Sequence, residues 1–239
     1  MVLKIFPDKQ RLNENLAVWM ISYINAVLEN KSRFTIALTG GNTPKEFYQL
    51  LATEKLKQQI NWSRMHFFWG DERYVPFEDN RNNARMAFAA LLNHVPVPEN
   101  QIHKIRTDIE PQMAAQEYEE ILRSYFFNQP ATFDLVFLGL GDNAHTLSLF
   151  PGYDVIFEKE KWVTSFFLKE QNMHRITLTA PLVNLSKRTA FLVAGKEKAE
   201  AVQQVIQYPF EPAKYPAQII QPVNGQLYWF LDEEASSKL

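Results

Sequence analysis

The chain has no cysteine among its 239 residues. That excludes disulfides, thiolate nucleophiles, cysteine-ligated zinc and iron–sulfur clusters together, and it suits a reducing compartment. Long apolar runs are also missing, since none approaches the roughly 18 residues that a membrane-spanning helix needs. Met1 to Pro7 is too short, and too soon broken by proline, for a signal peptide. The expectation is therefore a cytoplasmic protein. Nor is there a positive excess. Lys and Arg number 25 against 27 Asp and Glu, a net charge of −2. This argues against a nucleic-acid binder and means that an anionic ligand must be held by a local cluster of cations. There is no G-x-S-x-G elbow, no Walker A sequence, and no H-E-x-x-H or comparable metal cluster, so no metal site is expected.

What is present reads as an ordinary globular chain, 46% hydrophobic and 22% charged. Without repeats, linkers or low-complexity tracts, residues 1–239 are expected to form one domain. Leu12, Leu16, Trp19, Met20, Tyr23 and Val27 recur along one helical face. Helices also fit 44–52, 82–92, 111–127 and 196–207. Short apolar segments at 2–6, 34–39, 65–69, 133–138, 176–179, 189–194 and 227–231 read as strands. Several of these lack clean alternation, as in strands covered on both faces. The alternation of strand and helix predicts an α/β fold, a single-domain Rossmann-like and mostly parallel sheet with helices on both faces. Ligands in such sheets bind beyond the carboxyl ends of the strands, which directs attention to the loops after residues 39, 69, 138 and 194.

Those loops hold the polar residues. Gly40-Gly41-Asn42-Thr43-Pro44 follows the strand at 34–39. Thr43 suits an N-cap, Pro44 the first helical position and Glu46 a capping-box partner. The same segment reads either as a capped helix or as an anion site at a helix start. Gly70-Asp71-Glu72-Arg73 follows the strand at 65–69, and Arg73 either grips a phosphate or makes a surface ion pair. Asn82 and Asn83 open the next helix, as caps or as ligand contacts. Gly139-Leu140-Gly141-Asp142-Asn143-Ala144-His145 matches G-x-G-x-x-A, but Pro151-Gly152 would stop the following helix after about two turns, too soon for a dinucleotide fold. His145 stands out as a candidate general base, whereas His66, His94, His103 and His174 read as packed or exposed. Arg175 opens the strand RITLT. Lys198 lies at a helix start, where the dipole disfavours a cation unless it has a ligand.

In sequence, the segments TGGNTP (39–44), GDERYVP (70–76), NNAR (82–85), FDLVFLGLGDNAHTLSLFPG (133–152), RITLTAP (175–181), FLVAGKEKAEAV (191–202), and YPAQIIQP with LYWFLD (215–232) resemble the 6-phosphogluconolactonase family over almost the whole chain. That family shares a superfamily with glucosamine-6-phosphate isomerase/deaminase. The resemblance implies hydrolysis of 6-phospho-D-glucono-1,5-lactone to 6-phosphogluconate in the oxidative pentose phosphate pathway, with no cofactor. It implies His145 as the base that activates water, aided by Asn143. It implies substrate and phosphate contacts from Gly40, Gly41, Asn42, Thr43, Asp71, Arg73, Arg175 and Lys198. The expected partner is a small-molecule sugar-phosphate lactone, with no nucleic acid and no membrane, for a monomer or small homo-oligomer. The alternatives are a glucosamine-6-phosphate isomerase/deaminase-like enzyme, disfavoured because its F-N-E-P is missing, or a catalytically weak sugar-phosphate-binding protein. The chain departs from the family's G-x-D-G-H, with Asn143 for Asp and Ala144 for Gly. It also has Asn42 where the family has Ser in SGGSTP, and Asn82-Asn83 for the family's S-N.

Overall fold

The computed structural model describes all 239 residues. In chain order the strands are β1 Val2–Phe6, β2 Phe34–Leu38, β3 Met65–Trp69, β4 Asp71–Arg73, β5 Ile102–His103, β6 Leu135–Leu138, β7 Val163–Leu168, β8 Met173–Leu178, β9 Arg188–Val193 and β10 Gln226–Asp232. The helices are α1 Lys9–Leu28, α2 Asn42–Leu51, α3 Glu54–Lys57, α4 Asn83–Ala90, α5 Pro111–Phe126, α6 Ala180–Val183 and α7 Ala199–Gln207. Seven strands form one sheet in the order β1-β10-β9-β6-β2-β3-β5, and every neighbouring pair in it is parallel.

Helices on both faces explain the apolar runs. All five residues of β2 are buried. Along β10 the side chains alternate between two covered faces. Tyr228 and Phe230 pack on Trp19 of α1, while Trp229 stacks on Phe191 and lies beside Val205 and Ile206 of α7. Sixty-four of the buried apolar residues join into one cluster.

The chain leaves β2 toward β3 and β5 on one side and later returns to lay β6 on the other. The gap between the β2 and β6 loops is thus the topological switch point, where the loops diverge and leave a crevice. Two buried tyrosines fasten the strand ends beside it. The Tyr48 hydroxyl donates to the Thr39 carbonyl and accepts from the Thr39 amide, at 3.0 and 3.1 Å. Tyr118 does the same for Trp69, at 3.1 and 2.7 Å. Each hydroxyl satisfies two backbone groups that no neighbouring strand reaches.

One expectation needs correcting. Residues 176–179 do not join the main sheet. Residues 176–178 belong to β8, which lies in a second, antiparallel sheet ordered β4-β8-β7, and Thr179 is the N-cap residue of the next helix. Its other two strands, and the two-residue β5, carry no strand signal that the sequence reading recognised. β4 is Asp-Glu-Arg, a composition that opposes strand propensity. β7 mixes buried and half-exposed positions, which blurs its period. Gly70 joins the two sheets. Its amide donates to the Leu38 carbonyl and its carbonyl accepts from Leu178, both at 2.8 Å.

Candidate active site

A cleft of about 220 Å³ opens at the switch point. Of its 14 lining residues only Leu140 and Leu147 are hydrophobic, so it suits a small polar ligand. Gly40, Gly41, Asp71, Arg73, His145, Arg175 and Lys198 all line it, together with Thr39, Asn83, Gly139, Gly141 and Thr146.

Its cationic wall comes from the second sheet. In the β4–β8 register Arg73 stands directly opposite Arg175, and Asp71 opposite Thr177. Like charges directly opposite destabilise a strand pair, so each guanidinium needs compensation. Arg175 is buried. Its Nη2 donates to Asp71 Oδ2 at 3.0 Å, its Nε to Ser148 Oγ at 2.9 Å, and its Nη1 to Gln171 Oε1 at 3.3 Å. Ser148 Oγ in turn donates to Asp71 Oδ2 at 2.6 Å. A guanidinium has five N–H donors, so two remain for a ligand. Arg73 Nη1 donates to the Arg81 carbonyl and to Asn83 Oδ1, both at 2.9 Å.

Glu72 builds the floor under Arg73. It is fully buried, and its carboxylate accepts from the amides of Arg73, Asn83 and Ala84 at 2.9, 2.7 and 2.8 Å. The last two open α4, so the anion also meets the positive end of that helix. Burial nevertheless pushes its pKa up to about 7, against the lowering effect of these amides. Asn82 caps α4 through the Arg85 amide, at 2.8 Å. Asn83 instead turns inward, and its amide nitrogen donates to the Asp71 carbonyl at 2.9 Å. A Cβ on Gly40 would lie 2.0 Å from Asn83 Oδ1, so this close approach requires glycine.

The opposite wall is the loop after β6. No helix follows the glycines, and the chain runs through tight turns to Pro151, which removes the dinucleotide reading altogether. Ala144 sits at φ 59°, in the left-handed region that favours glycine. This is the position where the resembled family carries Gly. His145 stacks on Phe150, with ring centroids 4.0 Å apart. Its Nδ1 lies 2.5 Å from Asn143 Oδ1. An amide oxygen can only accept, so Nδ1 carries the proton and Nε2 is left as a free base. Burial first, then the cations Arg175, Lys198 and Arg73, push the imidazole down to about 4, with Asp71 opposing. The ring is therefore neutral at neutral pH.

The neighbouring Asp142 points elsewhere and holds Lys198 Nζ at 2.5 Å. The structure separates Asn42 and Thr43 from the other candidates, since neither lines the cleft. The expected capping box is absent too. Gly41, at φ 109°, is the N-cap of α2, no side chain caps the helix, and Glu46 pairs with Lys9 instead. Because a glycine adopts this φ freely, the helix starts two residues earlier than Thr43-Pro44 implied. The amides of Gly41, Asn42 and Thr43 consequently have no acceptor within the protein. The sequence reading missed Ser148, Phe150 and the carboxylate of Glu72 as parts of the site. All three lie within the quoted segments, but burial and hydrogen bonding, which assign their roles, are not visible in a string of residues.

The family model described as glucosamine-6-phosphate isomerases/6-phosphogluconolactonase matches residues 7–229. The chain is 39% identical to the 6-phosphogluconolactonase of Synechocystis sp. over 98% of its own length and 97% of the relative's. It is 37% identical to that of Haemophilus influenzae over 96% of both chains. Among solved structures it is similar to the 6-phosphogluconolactonase of Trypanosoma brucei, with a TM-score of 0.86 and 26% identity over 100% of this chain and 98% of the other.

The seat of the imidazole gives a direct test. A Cβ on Gly141 would lie 2.0 Å from Cε1 and Nδ1 of His145. Gly141→Ala is expected to unseat the ring and lower kcat by about 100-fold, the scale of an ångström's misplacement. The melting temperature should hold, because Gly141 is not at positive φ. An unchanged kcat in a folded variant would show that the ring's position does not matter.

Proposed function

The chain belongs to the glucosamine-6-phosphate isomerase/6-phosphogluconolactonase family, and from that premise we propose that it hydrolyses 6-phospho-D-glucono-1,5-lactone to 6-phosphogluconate, the lactone step of the oxidative pentose phosphate pathway. The observation that carries this reading is one polar cleft holding a neutral imidazole with a free Nε2 opposite two facing arginines. The first serves acyl transfer to water, and the second demands an anion. We place the reaction in the cytoplasm, on a small-molecule sugar-phosphate lactone, with neither nucleic acid nor membrane as partner. The cysteine-free composition favours a reducing compartment, and no helix is long and apolar enough to cross a membrane.

The phosphate engages the free N–H groups of Arg73 and Arg175, with Lys198 and the unsatisfied amide of Gly41, which lines the cleft, contributing further donors. Holding this remote group fixes the lactone carbonyl relative to His145. Nε2 takes a proton from water as the oxygen attacks C1. The tetrahedral intermediate then collapses, the bond from C1 to the ring oxygen breaks, and the imidazolium returns the proton to that oxygen. Asn143 keeps Nδ1 protonated throughout, so the lone pair stays on Nε2. An aldose–ketose isomerase or deaminase reading lacks its F-N-E-P carboxylate.

The phosphate assignment is tested with two substrates. Arg175→Gln keeps a donor for the buried Asp71. It should cost about 2–3 kcal/mol in kcat/KM on the phosphorylated lactone, as for a lost hydrogen bond to a charged group. Hydrolysis of unphosphorylated gluconolactone should be unaffected, and an equal loss on both would make Arg175 a structural residue.

The pH–rate profile tests the base. Protonation abolishes a base, so kcat/KM should fall as pH drops through about 4, the value set by burial and the three cations. Asn143→Asp places an anion beside the ring, favours the imidazolium and raises that pKa. The acid limb should move to higher pH, with kcat kept or increased above neutrality. Asp142→Asn, which loses a partner of Lys198 rather than of His145, should leave the limb in place. A limb moved by Asp142→Asn and not by Asn143→Asp would assign the pair to the wrong residue.

A further inference from the structure

The base and the phosphate anchor come from different sheets, and one buried side chain joins them. Ser148 is three residues after His145 and fully buried. Residues 146–149 form a tight turn, with the Leu149 amide donating to the Thr146 carbonyl at 2.9 Å. Leu147 takes up that turn at φ 54°, a left-handed value that a side chain of this size disfavours. Two features of the surroundings hold it there. The missing Cβ of Gly70 leaves room for the Leu147 side chain, since a Cβ would lie 2.6 Å from Leu147 Cδ2. The Ser148 amide donates to Thr177 Oγ1 of β8 at 3.1 Å.

The consequence of this turn is the direction of one hydroxyl. Ser148 Oγ donates its single proton to Asp71 Oδ2 and accepts Nε of Arg175. It closes a ring of three bonds in which Asp71 also holds Nη2. Nε and Nη2 fixed together set the plane of the guanidinium. Ser148 does not line the cleft, so it acts only through what it holds.

We propose that Ser148 is a positioning residue. It ties the plane of Arg175 to the loop that carries His145, so that the phosphate anchor and the base keep one fixed spacing. This rests on the reading of the cleft as a phosphosugar lactonase site, and it names the element that matches the site to the length of its substrate. Without Ser148 the guanidinium keeps Asp71 on Nη2 and a longer bond, 3.3 Å, from Nη1 to Gln171, but nothing holds Nε and nothing ties the group to the loop of His145.

The test is a cycle of Ser148→Ala, Arg175→Gln and the double variant, each assayed on phosphorylated and unphosphorylated lactone. Ser148→Ala should lower kcat/KM on the phosphorylated substrate roughly 5- to 30-fold, the scale of one or two weakened hydrogen bonds, and leave the unphosphorylated substrate unchanged. In the Arg175→Gln background it should cost nothing further, because its effect passes through Arg175. If Ser148→Ala yields no folded protein, Ser148→Cys, which keeps the shape and weakens both bonds, replaces it with the same pattern expected. An equal loss on both substrates, no loss on either, or a full additional loss in the double variant would overturn the proposal. Failure of the underlying reading looks different, because Arg175→Gln by itself would then affect both substrates alike.

Discussion

Arg73 and Arg175 face each other across a single antiparallel strand pair, an arrangement that costs free energy until an anion lies between them. Most of what surrounds the cleft responds to that repulsion. Asp71 is buried against Arg175, and breaking a buried pair of this kind leaves a charge that nothing solvates. Glu72 is driven into the protein on the other face of the same three-residue strand, where the start of α4 receives it. Asn83 fills the space that Gly40 leaves and carries one bond from Arg73. The sequence Gly-Asp-Glu-Arg is therefore a short strand of alternating duties: Asp71 and Arg73 face the cleft, and Glu72 anchors it from behind.

The same cations act on the base. They and the burial of the ring hold His145 neutral, and Asn143 supplies direction without charge. A carboxylate in that place would strengthen the base and raise its pKa together. The amide gives a weaker base that stays unprotonated further into acid. Esters strained in a six-membered ring need less activation than amides, so a weaker base is compatible with turnover. The phosphate site and the base are thus coupled through electrostatics as well as through the loop of residues 145–150.

How much of this was legible beforehand follows from which signals are local. The parallel sheet was readable because its strands are buried on both faces and read as apolar runs, as in FTIAL and LVFL. The loops after residues 39, 69, 138 and 194 followed from the rule of the carboxyl edge, and lining residues come from each of them. The second sheet was not readable, since Asp71–Arg73 forms a strand through tertiary pairing against its own propensity. Arg175 was expected on the main sheet and instead reaches the cleft from β8. The start of α2 was misplaced because Thr43-Pro44-Lys45-Glu46 imitates a capping box, while a glycine at positive φ decides the real boundary. Ser148 lies in a quoted segment, but its role was not readable, because a serine is informative only once its two partners are known.

The account stands on His145 Nε2 as the group that activates water. The most direct measurement compares the parent with His145→Asn on freshly prepared 6-phosphogluconolactone, each rate corrected for spontaneous hydrolysis. Removal of a general base lowers kcat by about 100- to 10,000-fold, and the account predicts a loss in that range with the melting temperature and the affinity for 6-phosphogluconate retained. A folded His145→Asn variant that keeps the parental kcat would contradict it.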